Sequence, residues 1–165
     1  MSEQKNLVDT FISRMKQKGW DIAWNETQDK CILEIITDRY TNIPEEWLEF
    51  AGSIRHMVSP DETTWFLGTE DFDVQGDQAF RWNEWERISL ESAGDDAEWT
   101  GRIKEFWDQH LPIVMSVKGG YSYYAISMAD GSVVHGSEPE FEACEVVAPS
   151  FAVFIAQPHA EEICR

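Results

Sequence analysis

Between residues 70 and 82 the chain runs EDFDVQGDQAFRW. Asp71, Asp73, Gln75, Gly76 and Asp77 approach the D-x-[DN]-x-[DN]-G spacing, in which alternating oxygen ligands converge on one hard cation. That chemistry would be calcium binding. Two features oppose it. The twelfth position of such a loop carries a bidentate Glu that closes the coordination sphere; here it is Trp82, and Glu84 comes two residues too late. The flanks should be amphipathic helices, whereas Trp65–Leu67 and Phe80–Trp82 read as extended. The stretch is therefore expected to be an acidic loop joining two strands, with Gly76 at its bend and no metal.

Other residue types that carry chemistry are present without the spacing chemistry needs. His56, His110, His135 and His159 lie far apart and form neither H-x-x-x-H nor H-E-x-x-H. Gly119-Gly120 lacks the downstream Gly and Lys-Ser/Thr of a phosphate loop, and there is no G-x-S-x-G nucleophile elbow. Cys144, within EACEVV, is expected to be a buried, inert thiol. Glu138 and Glu140 could serve as an acid–base pair on a sugar, but paired carboxylates carry little information in so acidic a chain. They are expected to be loop and cap residues, so no catalytic residue is assigned and no cofactor is expected. Trp65, Trp82, Trp99 and Trp107 are expected in the core. Trp85, between Glu84 and Glu86 in a polar segment, is the candidate for an exposed interface aromatic.

The acidity is itself informative. Of 165 residues, 31 are Asp or Glu and 13 are Lys or Arg, a net charge of −18. A small domain usually carries about 2–8 net charges. Phosphates would be repelled, which argues against nucleic acid and against anionic membranes as partners. A basic protein would be attracted and steered. With 8 Trp and 9 Phe a sizeable core is available, and the length suits one domain, taken as 1–165. No signal peptide or membrane-length apolar run is visible. Cys31, Cys144 and Cys164 are an odd number at long spacings, which suits neither a disulfide framework nor a zinc knuckle. A cytoplasmic protein with reduced thiols is expected.

These residues need elements to position them. Leu7, Phe11 and Met15 share a helical face that Gly19 ends. Trp20, Ile22 and Trp24 alternate as in a strand, and Cys31–Ile36 is a short β-like run. Pro44 opens a second helix, with Trp47, Phe50, Ala51, Ile54 and Met57 as its apolar stripe. Thr64–Leu67 reads as a strand. A polar helix is expected over about Asn83–Ala93. The next is capped by Asp95 or Asp96 and buries Trp99, Ile103, Phe106 and Trp107. Leu111–Val117, Tyr121–Met128 and Ser132–His135 read as strands joined by turns at Gly119-Gly120 and Asp130-Gly131. Glu138–Glu142 reads as a polar connection, followed by a short apolar Val146–Ala148. Phe151, Phe154 and Ile155 stripe a terminal helix. The expected class is α+β: a single domain with a mainly antiparallel sheet, N-terminal helices and a C-terminal helix.

Residues 40–156 resemble the SUKH superfamily, which includes the Smi/Knr-type domain of fungal cell-wall-assembly regulators. The resemblance rests on the aromatic strand Gly120-Tyr121-x-Tyr123, the turn Asp130-Gly131-x-Val133, Glu138 in the following connection, and the helix opening Ser150-Phe151-x-x-Phe154-Ile155. Upstream, Ile43-Pro44 before the Trp47/Phe50 helix and TTWFLG around Trp65 complete it. The resemblance implies an α+β fold and a bacterial immunity protein that blocks a toxin, often a nuclease. Pro44, Trp65, Gly120, Tyr121, Tyr123, Asp130, Gly131, Glu138, Ser150, Phe151 and Phe154 are then assigned to folding. The expected partner is a basic toxin domain. Glu70, Asp71, Asp73 and Asp77, with Glu84 and Trp85, are the candidate contact residues. An intracellular adaptor is the alternative, and an enzyme acting on sugars through Glu138 is a third.

Overall fold

Leu7, Phe11 and Met15 recur at the helical interval, and Ser2–Gln17 form α1. Gly19 ends it at φ +94°. The Gly19 N–H donates to the Lys16 carbonyl (3.0 Å) and the Trp20 N–H to that of Met15 (3.1 Å). This pair of bonds caps the last carbonyls and turns Trp20 into the core. The computed structural model describes residues 2–24, 34–72 and 81–156. Within them the order continues as β1 (Asp21–Trp24), α2 (Glu34–Arg39), α3 (Glu45–Ser53), β2 (Ile54–Val58), β3 (Thr64–Phe66), α4 (Glu84–Ala93), α5 (Ala97–Asp108), β4 (His110–Ser116), β5 (Ser122–Ser127), β6 (Val133–Ser137), β7 (Glu140–Ala148) and α6 (Phe151–Ala156). The seven strands form one sheet in the order β1 to β7, each antiparallel to the next. The fold is α+β, as expected.

Register places Phe66, Val114 and Tyr124 side by side on one face, and Trp65, Met115, Tyr123 and Gly136 on the other. The first face is covered by α1, α3 and α6: Phe66 meets Phe11 at 5.4 Å and Phe50 at 6.0 Å, and Tyr124 meets Phe154 at 5.0 Å. The second is covered over β5–β7 by α4 and α5. Trp107 lies 4.9 Å from Tyr123, and Trp85 stacks on Phe141 at 5.6 Å. Burying so many large aromatics between two helical layers contributes roughly 1.5–3 kcal/mol for each fully buried side chain.

Five sequence expectations change. The β-like run at 31–36 is helical where described, since Glu34–Arg39 is α2. A short apolar run has no period of its own, and Arg39 ties this one to α4 and α5 through Glu86 and Asp108. The stripe assigned to the Pro44 helix ends at Ala51, because Ile54 and Met57 belong to β2. A register shift between Ala23 and Trp24 leaves Arg55 unpaired in the ladder. That bulge points two residues three apart to the same side, which imitates helical spacing. Among the described residues no strand follows the acidic loop: Phe80 lies outside them, and Trp82 lies in a turn leading into α4. The polar connection over 138–142 instead runs into a nine-residue strand, β7, with Phe141 buried. Trp99 stands 40% exposed at the start of α5, while Ile103 and Trp107 are buried. Asp96 caps that helix as expected, accepting the Trp99 N–H at 3.0 Å.

The residues of the SUKH resemblance fall mostly at turns and packing points. Asp130 accepts the N–H and hydroxyl of Ser132, and Gly131 turns at φ +78°. The Ser150 hydroxyl accepts the Val153 N–H at the start of α6, with Phe151 and Phe154 buried behind it. Gly120, at φ +123°, lies against the Glu138 side chain. Pro44 stands at the N-cap of α3.

Candidate functional site

The second face of the sheet differs along its width. Asp21, Ala23, His56, Val58 and Trp65 all point to this side by alternation and register. There, over β1–β3, the surface opens into a groove of about 460 Å³. Its lining includes Asp21, His56, Pro60, Trp65, Glu70 and Asp71 and, among the described residues, none from a helix.

Each wall has a local cause. Gly68 lets the chain after β3 lie flat on β2, because a Cβ there would sit 2.8 Å from the Arg55 carbonyl oxygen. Two backbone bonds then extend the pairing past β3, Thr69 N–H to the Ile54 carbonyl and Glu70 N–H to that of Arg55. Asp71 closes the turn by accepting the Gly68 N–H at 2.8 Å while its own N–H donates to the Gly68 carbonyl. At the far side the Ser59 hydroxyl donates to Asp61 and accepts from the N–H groups of Thr63 and Thr64. Hydrogen bonds from Thr63 and Ser59 hold the Asp61 carboxyl well below the usual range. The Ser59 hydroxyl is thus committed to the turn.

At the centre, His56 bridges two carboxylates. Its Nε2 lies 3.2 Å from Asp21 Oδ2 and its Nδ1 3.4 Å from Glu70 Oε2. Arg55 Nε stands 4.0 Å from the same Glu70 oxygen. Asp71 differs from the rest: burial pushes its carboxyl up to about 7, and the nearby Glu70 charge adds to the shift against the Gly68 N–H and His56. The groove therefore holds four carboxyl groups (with Glu62) around a half-buried Trp65 and one imidazole. Carboxylates beside an aromatic face suit binding of a cation. Among the described residues no three His, Cys, Asp or Glu side chains form a cation cage.

The six contact residues expected from the sequence separate. Glu70 and Asp71 enter the groove, and Asp73 and Asp77 lie outside the described residues. Gln75 and Gly76 of the calcium-like spacing lie there too. Glu84 and Trp85 line no part of the groove. Glu84 faces Arg87 at 3.6 Å and accepts the Arg81 N–H. Trp85 is a correction, because it is buried rather than exposed. Its ring stacks on Tyr121 (4.5 Å) and Phe141, and its indole N–H donates to the Ser122 carbonyl at 2.9 Å. On a helix rich in polar residues, its ring packs into the core together with Ala93, while Ile88 and Leu90 lie partly buried against it. Cys144 is a second correction. It lies exposed on β7, and partial burial raises its thiol pKa, so the thiolate is disfavoured. Asp21, His56 and Gly68 were missed. Gly68 within WFLGTE was the available signal, since a glycine beside a strand marks a close backbone approach.

No helix among the described residues is long and apolar enough to cross a membrane. The chain matches none of the protein-family models compared with it, and no curated protein matches it.

Proposed function

We propose that the chain is a non-enzymatic binding protein of the SUKH immunity type, which neutralises a toxin by covering a basic surface on it. The observation that carries this reading is the acidic groove on the second face of β1–β3, which no helix lines among the described residues. There Asp21, Glu62, Glu70 and Asp71 surround Trp65 in a chain of net charge −18. Such a surface attracts a cationic partner at long range and offers an aromatic anchor at contact. A nuclease that binds phosphates through a basic site would present the complementary charge. The resemblance of residues 40–156 to the superfamily supports the same reading.

The test is capture of partners from the host's lysate on tagged protein at low and high salt, followed by an inhibition assay with the purified pair. A single stoichiometric basic partner, whose toxic activity is blocked and whose binding weakens with salt, is the expected result. Several substoichiometric partners, none inhibited, would favour the adaptor instead. On the purified pair, Glu70→Lys is expected to slow association at low salt and to reduce its salt dependence. An unchanged association rate would remove this mechanism.

A further inference from the structure

We propose that β7, the last strand of the sheet, is a docking edge that takes an extended basic segment of a protein partner as an eighth strand. The inference rests on the reading of a basic protein partner and names an element that receives part of it, at the opposite edge of the sheet from β1.

The first argument is backbone pairing. β7 ends the strand order, so among the described residues it has a neighbouring strand on one side only. The direction of its other backbone groups follows from the bonds of the sheet. The Ser127 N–H donates to the Ser132 carbonyl and the Glu138 N–H to the Tyr121 carbonyl, both at 2.8 Å. With the register of β5 on β6, these bonds turn the backbone groups of residues 132, 134, 136 and 138 towards β5. Those of 133, 135 and 137 are left for β7. His135 pairs with Glu145, so Glu145 bonds β6 with its N–H and C=O. The N–H and C=O of Cys144 and Val146, on either side of it, point outward. Such a row of outward donors and acceptors is what an added strand pairs with.

The second argument is the side chains. Residues 143–146 are all exposed, and Val146 is 65% exposed. Sheet edges are commonly blunted by Lys, Pro or a bulge. β7 holds no Lys, Arg or Pro, and its charges are Glu140, Glu142 and Glu145. Register shifts between Val133 and Val134 and between Gly136 and Ser137 confine the regular edge to Cys144–Val146. That suits a short added strand, at the low end of the roughly 3–10 residues of ordinary ones. Val146 and Glu145 face opposite sides by alternation. A strand beside them can set an apolar residue against the first and a basic residue against the second.

The third argument selects the occupant. A second copy of the chain brings the same net charge of −18 and the same glutamates. Antiparallel pairing about a two-fold axis at Glu145 would set the two Glu145 carboxylates directly opposite each other, which is destabilising. A basic segment meets opposite charge at the same positions.

The test uses the intact protein labelled with nitrogen-15. In the free protein the amides of Cys144 and Val146 are expected to exchange with deuterium at least tenfold faster than that of Glu145. Equal protection of all three, or protection that grows with protein concentration, would show the edge already covered and overturn the inference. The probes are acetyl-Lys-Val-Lys-Val-Lys-Val-Lys-amide, its glutamate counterpart and its counterpart N-methylated throughout the backbone. The lysine peptide is expected to shift the Cys144 and Val146 amides saturably and to slow their exchange, with both counterparts at least tenfold weaker. Val146→Pro removes an outward N–H and spares the bonds to β6. Val146→Lys keeps the backbone and opposes the incoming charge. Each is expected to weaken binding at least tenfold, read at the Cys144 amide, while the Glu145 amide stays protected. If Val146→Pro loses that protection, Val146→Lys decides. Equal binding of the lysine and N-methylated peptides, or shifts that spare Cys144 and Val146, would overturn the inference. Because no toxin enters this titration, its failure is separate from failure of the functional reading. A captured and inhibited partner whose Kd ignores Val146→Lys would remove the docking edge and leave that reading standing. Peptide pairing at β7 with no inhibited partner would keep the edge and remove the reading.

Discussion

The ring of Tyr123 lies directly on the backbone of Gly136, its neighbour across β5 and β6. A Cβ at position 136 would fall 2.6 Å from Tyr123 Cζ, well inside contact distance. The tyrosine hydroxyl passes over this glycine to donate to the Phe141 carbonyl on β7, and Trp107 of α5 packs against the ring. One missing side chain thus lets one aromatic join three strands to a helix.

Gly136→Ala is accordingly expected to destabilise the fold by about 1–3 kcal/mol or more through overpacking. Urea unfolding measures it. Gly136→Ala combined with Tyr123→Leu should cost less than the sum of the two single changes, because the clash is shared. A Gly136→Ala variant within about 0.5 kcal/mol of the parent would show that the ring moves aside freely.

Arg39 and Glu86 form a two-pronged pair at 2.8 and 2.7 Å, with Glu86 at 8% side-chain exposure. Burial is the largest single influence and opposes the guanidinium charge, yet Glu86, Tyr40 and Asp108 together outweigh it and the arginine pKa lies above its ordinary value. Removing one partner leaves the other charge buried. Arg39→Met is expected to cost about 2 kcal/mol or more, and Arg39→Lys to recover only part of it, because the fork is lost. Arg39→Met with Glu86→Leu should be more stable than Arg39→Met alone. If the double variant is the less stable of the two, the pair is not what anchors α2.

Asp71 makes stability fall with pH. Burial pushes its folded pKa up to about 7, above the ordinary aspartate value of 3.8. Below the lower value both states are protonated and the favourable contribution is complete. Between the two the folded state holds more protons, so stability declines as pH rises, and above about 7 the contribution is gone. The loss is at most about 4 kcal/mol. Asp71→Asn keeps an acceptor for the Gly68 N–H and removes the titration. It should stabilise the protein at pH 8 and change little at pH 4. Parallel pH dependences in parent and variant would exclude Asp71 as their source.

Local patterns were legible wherever one period or one turn residue decided the outcome. The α1 face, the Gly19 stop, the Asp96 cap, the turns at Gly119-Gly120 and Asp130-Gly131, and the antiparallel sheet with helices before and after it all followed from spacing and backbone chemistry. The errors arose where tertiary contact overrode local preference. Arg39 draws α2 onto α4 and α5, a bulge at Arg55 imitates helical spacing, and Trp85 is buried although its sequence neighbours are polar.

The candidate site divides in the same way. Acidity and the Glu70-Asp71 pair were visible in the chain. That Asp21 and Glu70, 49 positions apart, meet through His56 was not. Composition determines the sign of the charge and the stock of aromatics, because these are sums over residues. Only the pairing of β1 with β2, and the close approach at Gly68, decides which carboxylates share a surface. Such contacts depend on register between distant segments, and a period read along one segment carries no information about its partner.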